Sequence, residues 1–161
     1  MIRQKTTCLA LIALVSVLPS LAQAQQPKLT PKQVPLLCMQ RERDPTALLV
    51  TARDELHTPR EQFIASLGSG ALDVKGRQMM VERVNDVYDN PSLTHDTLWT
   101  FRSYRCIEEF ARKDFVSFKP ELKAALLECQ ATHGDRMVEL AECVADASAA
   151  NIETSKHWSS F

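Results

Sequence analysis

The chain has 161 residues, with 19 Lys plus Arg against 20 Asp plus Glu, and a mean hydropathy of −0.19. Such a near-neutral, mixed-charge surface has no general electrostatic attraction for nucleic acid or an anionic membrane, so neither is an expected partner. Four glycines and 6% aromatic residues, beside abundant alanine and leucine, favour helices over a sheet.

Residues 1–24 read as a cleavable export signal. Arg3 and Lys5 form a short positive segment, Cys8–Leu18 is an uncharged apolar run, and Ala22-Gln23-Ala24 has the small-x-small form of a cleavage site. The run is about half the ~20 residues that a membrane span needs. Cys8 precedes most of the apolar run, whereas a lipid-modified cysteine follows it, so Cys8 is expected to leave with the signal. Cleavage leaves 137 of the 161 residues: one helical domain over 25–150 and a tail over 151–161. The leader holds two of the 19 cationic residues and none of the 20 anionic ones, which puts the remaining chain at −3. The expected compartment is the periplasm or the exterior, with no membrane span in the mature chain.

Thr30-Pro31-Lys32-Gln33 has capping-box form. Pro35 argues against a helix continuing straight from it, so either a short turn precedes Pro35 or the first helix starts there and runs to about Arg43. Asp44-Pro45 predicts a fresh start, with Leu48, Leu49, Ala52 and Leu56 as its apolar stripe. Thr58-Pro59-Arg60-Glu61 is a second capping box, opening a helix with Phe63, Ile64 and Leu67. Gly68-Ser69-Gly70 ends it.

Asp73 to Asp89 is patterned as a helix. Met80, Val81, Val84, Val87 and Tyr88 cluster on one side, and Glu82, Asp86 and Asp89 form an acidic ridge on the other, read as a solvated face. Asn90-Pro91 stops it. Thr94 caps a helix from His95 to about Lys113, with Trp99, Cys106, Ile107 and Phe110 on one arc. Arg102, Arg105, Glu109 and Arg112 lie on another, where Arg105–Glu109 and Glu108–Arg112 are spaced for i,i+4 pairing. Phe115–Lys119 reads as a connector. Pro120 opens a helix bearing Leu122, Ala125, Leu126 and Cys129. Gly134 closes it and Asp135 is placed to cap the next, which carries Met137, Leu140, Ala141 and Val144.

Four cysteines follow the leader, and an oxidising compartment makes them crosslinks. They allow three pairings. Cys129 and Cys143 flank the turn near residue 134, which favours joining them and leaves Cys38 for Cys106. The chain contains no C-x-x-C, so neither a thioredoxin-type pair nor a zinc ribbon is indicated, and no C-x-x-C-H for haem. No cofactor and no metal site are expected. The four histidines show no i,i+3 or i,i+4 spacing among themselves.

No catalytic constellation is legible. The expected fold is all-α, six or seven short helices in an orthogonal bundle with two disulfides. The expected function is non-enzymatic: contact with another envelope or secreted protein. The candidate binding residues are Phe101, Arg102, Tyr104 and Arg105 on one helix, and Trp158 in the tail, because aromatic and arginine side chains dominate binding hot spots. In size, compartment and helicity the chain resembles the small disulfide-bonded helical immunity proteins of type VI secretion systems. That resemblance implies an immunity or inhibitor role and assigns no residues. The alternative is a small-ligand carrier or enzyme using His95, Asp86 and Asp89 in an interhelical cleft.

Overall fold

The computed structural model describes residues 29–68, 73–111, 115–116 and 118–153. The expected export signal, Ser69-Gly70, Arg112 and the tail from residue 154, Trp158 included, lie outside them. The fold is all-α. Its helices are α1 (Gln33–Asp54), α2 (Arg60–Ser66), α3 (Val74–Tyr88), α4 (His95–Ala111), α5 (Pro120–His133) and α6 (Met137–Ala149). The β pairing among the described residues is a two-residue antiparallel bridge of β1 (Phe115–Val116) with β2 (Ile152–Glu153), so the expected connector and the start of the tail meet.

The largest departure from the sequence reading is α1. Its 22 residues run unbroken through Pro45, where a restart was expected. A proline inside a helix costs about 3 kcal/mol. Packing overrides that cost, because Cys38 and Glu42 before the proline and Thr46, Leu49 and Ala52 after it bury on one face. Pro35 is harmless as the third helical residue, where backbone N–H groups have no intrahelical acceptor. The first capping box forms in part: Gln33 Oε1 accepts from the Thr30 backbone N–H and hydroxyl, each at 2.9 Å.

Other boundaries follow their capping residues. Asp73 accepts from the Gly76 N–H at 2.7 Å and starts α3. Two expected caps do not form. Neither Thr58 nor Asp135 makes a side-chain cap bond, and the capping positions fall on Pro59 and Arg136. The Thr58 carbonyl instead receives the Tyr88 hydroxyl at 2.8 Å. Arg136 reaches back to the Thr132 carbonyl and forward to Glu139. α1 ends with His57 in a left-handed conformation (φ 49°), beside the Thr58 N–H bond to the Ala52 carbonyl. Glycine is the usual residue at such a helix stop.

α1 and α4 pack antiparallel, as their cross-links show: Cys38 bonds Cys106, Glu42 meets Arg102, and Arg53 reaches the Leu93 carbonyl. α4 also packs on α6, α5 and β1. It is therefore central, enclosed on several sides. The main core gathers Leu49, Val84, Val87, Leu98, Phe101, Leu122, Leu126, Leu140 and Val144, while Val34, Cys38 and Cys106 form a small cluster of their own. Leu48 and Leu56, expected in the apolar stripe, face solvent.

Both favoured disulfides form. Cys38–Cys106 ties α1 to α4, and Cys129–Cys143 ties α5 to α6, with Cα–Cα distances of 5.7 Å. Arg53 closes the α3–α4 connection by donating to the carbonyls of Val87, Asn90 and Leu93 at 2.9, 3.1 and 3.2 Å. The Val87 and Asn90 carbonyls also accept turn bonds from the Asn90 and Leu93 N–H groups, and one planar guanidinium ties all three carbonyls together.

Candidate functional site

The largest polar constellation lies between α1, α3 and α4. Glu42, 1% exposed, faces inward from α1. Arg83 of α3 grips it with two bonds, Nε to Oε2 at 2.9 Å and Nη2 to Oε1 at 2.6 Å. Arg102 of α4 adds Nε to Oε2 at 2.9 Å and also donates to Asp86 Oδ2. Arg105 extends the chain to Asp86 Oδ2 and Glu82 Oε2, both at 3.2 Å, and to Glu109 Oε1 at 3.1 Å. These three arginines and four carboxylates, with Arg41 Nε 3.5 Å from Glu42 Oε1 beside them, staple three helices.

Burial disfavours the Glu42 anion, but hydrogen bonds and charge from Arg83 and Arg102 outweigh it and hold its pKa below the usual carboxylate range. Asp86 lies on the other side of that balance. Burial raises its pKa, Arg102 and Arg105 oppose, and the nearby Glu82 and Glu42 add to the rise. Arg83 is pushed upward: burial works against its charge and Glu42 more than compensates. Breaking such a pair costs far more than forming it contributes, so this network specifies how the helices dock.

The four expected binding residues on α4 fall into this interior. Phe101 is 0% exposed and packs its ring on Phe118 at 4.4 Å. Arg102 and Arg105 are buried in the ion-pair network, and Tyr104 is half-buried against the core. The aromatic-plus-arginine patch is therefore not a surface. The physical reason is the central place of α4, which leaves it no broad solvated face. Of the acidic ridge, Asp86 departs from a solvated face, turned inward beneath two arginines, while Glu82 and Asp89 stay at the surface and pair with Arg105 and Arg60.

His95, Asp86 and Asp89 are not brought together. His95 Nδ1 lies 2.8 Å from Asp96 Oδ1, while Asp86 and Asp89 face arginines on other elements. Among the described residues no group of three His, Cys, Asp or Glu side chains is arranged to hold a metal ion. A shallow groove of about 590 Å³ between α5 and α6 is floored by Cys129, Cys143 and Ala147 and rimmed by Glu128, Glu142 and Asp146.

The fold does build one aromatic-plus-arginine feature, on the seam where α1 crosses α4. Trp99 is partly exposed, and its indole N–H donates to the Met39 carbonyl at 2.9 Å. His95 stacks on the ring with centroids 6.2 Å apart and planes at 12°. The Arg43 guanidinium lies 6.0 Å from the ring centroid, within cation–π range. Met39 and Leu36 on α1 are 43% and 61% exposed beside it. The sequence contained the signal: Leu36, Met39 and Arg43 share one helical face at i, i+3 and i+7. Trp99 was read only as part of the apolar arc of α4.

No family model matches the chain, and neither a curated protein nor a solved structure matches it.

Proposed function

We propose that this is an exported, non-enzymatic helical protein that acts by contact with another envelope or secreted protein, using the α1–α4 seam as its contact face. The observation that carries the reading is the immobilised Trp99, stacked by His95, flanked by Arg43 and anchored through its N–H. A rigid tryptophan beside an arginine has the composition of a binding hot spot and loses little conformational freedom when a partner arrives. Exposed Met39 and Leu36 widen the apolar area around it. An immunity or inhibitor protein that plugs a toxin or hydrolase is the concrete form of this role.

Export is supported by the leader pattern and by two disulfides, which persist in oxidising compartments. No helix among the described residues is long and apolar enough to cross a membrane. The functional test is affinity capture from the cell envelope with wild type, Trp99→Ala and Arg43→Ala, each checked for native helicity. The seam variants should lose a partner that wild type retains. Identical recovery by all three proteins would reject the seam as the contact face. Phe101→Ala is unsuitable here, because emptying that core site costs about 3–5 kcal/mol by itself.

A further inference from the structure

Helix α2 is held to the bundle by different means from the other five. None of its residues is fully buried, whereas each of the others contributes side chains to the interior. Phe63 and Ile64, with Leu67 just beyond its end, rest half-buried against the main core. Its helix–helix packing is chiefly on α3. Among the described residues two side-chain links fasten it. The Tyr88 hydroxyl donates to the Thr58 carbonyl at 2.8 Å, and Arg60 pairs with Asp89 in an exposed setting.

Both links end on the last turn of α3, and that turn is fixed without help from α2. Arg53 binds the Val87 and Asn90 carbonyls, Lys123 donates to the Asp89 carbonyl at 3.1 Å, and the Asn90 amide donates to the Asp86 carbonyl at 2.7 Å. The latch therefore has a stationary side and a movable side. On the movable side the chain leaves α1 through His57, whose left-handed backbone is one that L-residues rarely hold. Segments that open separately from a fold have few buried contacts and few tethers; α2 buries no residue fully, and of its two tethers one is exposed and one part-buried.

We propose that Thr58–Leu67 is a latched lid. It opens about His57 away from α3 as one cooperative unit, its seven-residue helix too short to persist once detached, while the remaining helices stay packed. Tyr88 and the Arg60–Asp89 pair form the latch. Opening uncovers the apolar surface on which Phe63, Ile64 and Leu67 rest.

Native-state hydrogen exchange on the full exported chain, disulfides intact, tests this. Amides of α2 should exchange at least about 100-fold faster than those of α1, α4 and α6, with little dependence on low denaturant. Tyr88→Phe keeps the ring and deletes the hydroxyl, and should raise α2 exchange about 5–10-fold while leaving α1 and α4 unchanged. Arg60→Gln should give a smaller rise that added salt erases in the comparison with wild type. Equal protection of α2 and α4 in wild type would overturn the lid. So would an equal acceleration of all helices by Tyr88→Phe, or no acceleration of α2 by either variant.

Discussion

Glu42→Gln removes one charge from the middle of the three-helix network and changes the side-chain volume little. Arg102 keeps Asp86 as a partner when Glu42 is neutralised. Arg83 has no such reserve, since both of its hydrogen bonds among the described residues go to Glu42. At an effective dielectric of about 20, opposite charges 4 Å apart attract by about 4 kcal/mol, and a charge-assisted hydrogen bond contributes about 1.5–3 kcal/mol. One stranded guanidinium, with a glutamine oxygen still able to accept one bond, sets the expected loss at about 3 kcal/mol. That agrees with the lower end of the ~3–5 kcal/mol found for broken buried pairs. Urea unfolding at pH 7 measures it, and the melting temperature should fall by about 10–15 °C. Adding Arg83→Met relieves the stranded charge. The double variant should therefore be more stable than the sum of the single losses by about 2 kcal/mol. A loss below about 1 kcal/mol for Glu42→Gln, or strict additivity in the cycle, would refute the account of the network.

Acid should act on two carboxylates in opposite directions. Glu42 has a depressed folded-state pKa, so its stabilisation is complete above the ordinary value of 4.5 and is lost as pH falls through the folded pKa. Asp86 is raised from 3.8, so its contribution is complete below that value and is lost as pH rises through the folded pKa. Between about pH 6 and 3, Asp86→Asn should lose stability more steeply than wild type, and Glu42→Gln less steeply; unfolding curves across that window give both slopes. The Cys38–Cys106 and Cys129–Cys143 bridges span 68 and 14 residues. Replacing each pair by alanine should cost about 4.4 and about 3 kcal/mol on the loop-closure model, and denaturant unfolding of the two double variants would expose a reversed order. At the left-handed position that ends α1, His57→Gly should raise stability by about 1 kcal/mol in the same assay, and a loss would deny that the backbone is strained there.

Local chemistry made most helix limits legible. Asp73 and Thr94 mark starts, Asn90-Pro91 marks a stop, and the structure uses all of them. Both disulfides were also legible, because Cys129 and Cys143 flank a short turn. α1 was misread because Asp44-Pro45 is a strong local start signal. Propensity could not register that Glu42 and Leu49, on either side of it, are both buried on one face. The ion-pair network was hidden for a related reason. A row of charges on a helix usually faces water, and only a contact with a second charged row reverses that. Carboxylates at 82 and 86 and arginines at 102 and 105 have matching one-turn spacing on adjacent helices. Glu42 interrupts an apolar stripe. Those were the available signals. Phe101, on the arc of Arg105 and Glu108, leaves two readings open in the sequence, covered or exposed, and the enclosure of α4 decides for covered.

The pairing of the crosslinks bears on how the protein is made. Cys38 and Cys106 are neighbours among the cysteines after the leader, and so are Cys129 and Cys143. A chain that emerges N-terminus first presents each cysteine's native mate as the next thiol to arrive. Pairing the thiols in order of appearance gives the native connectivity directly, so the two bridges can form without exchange between them.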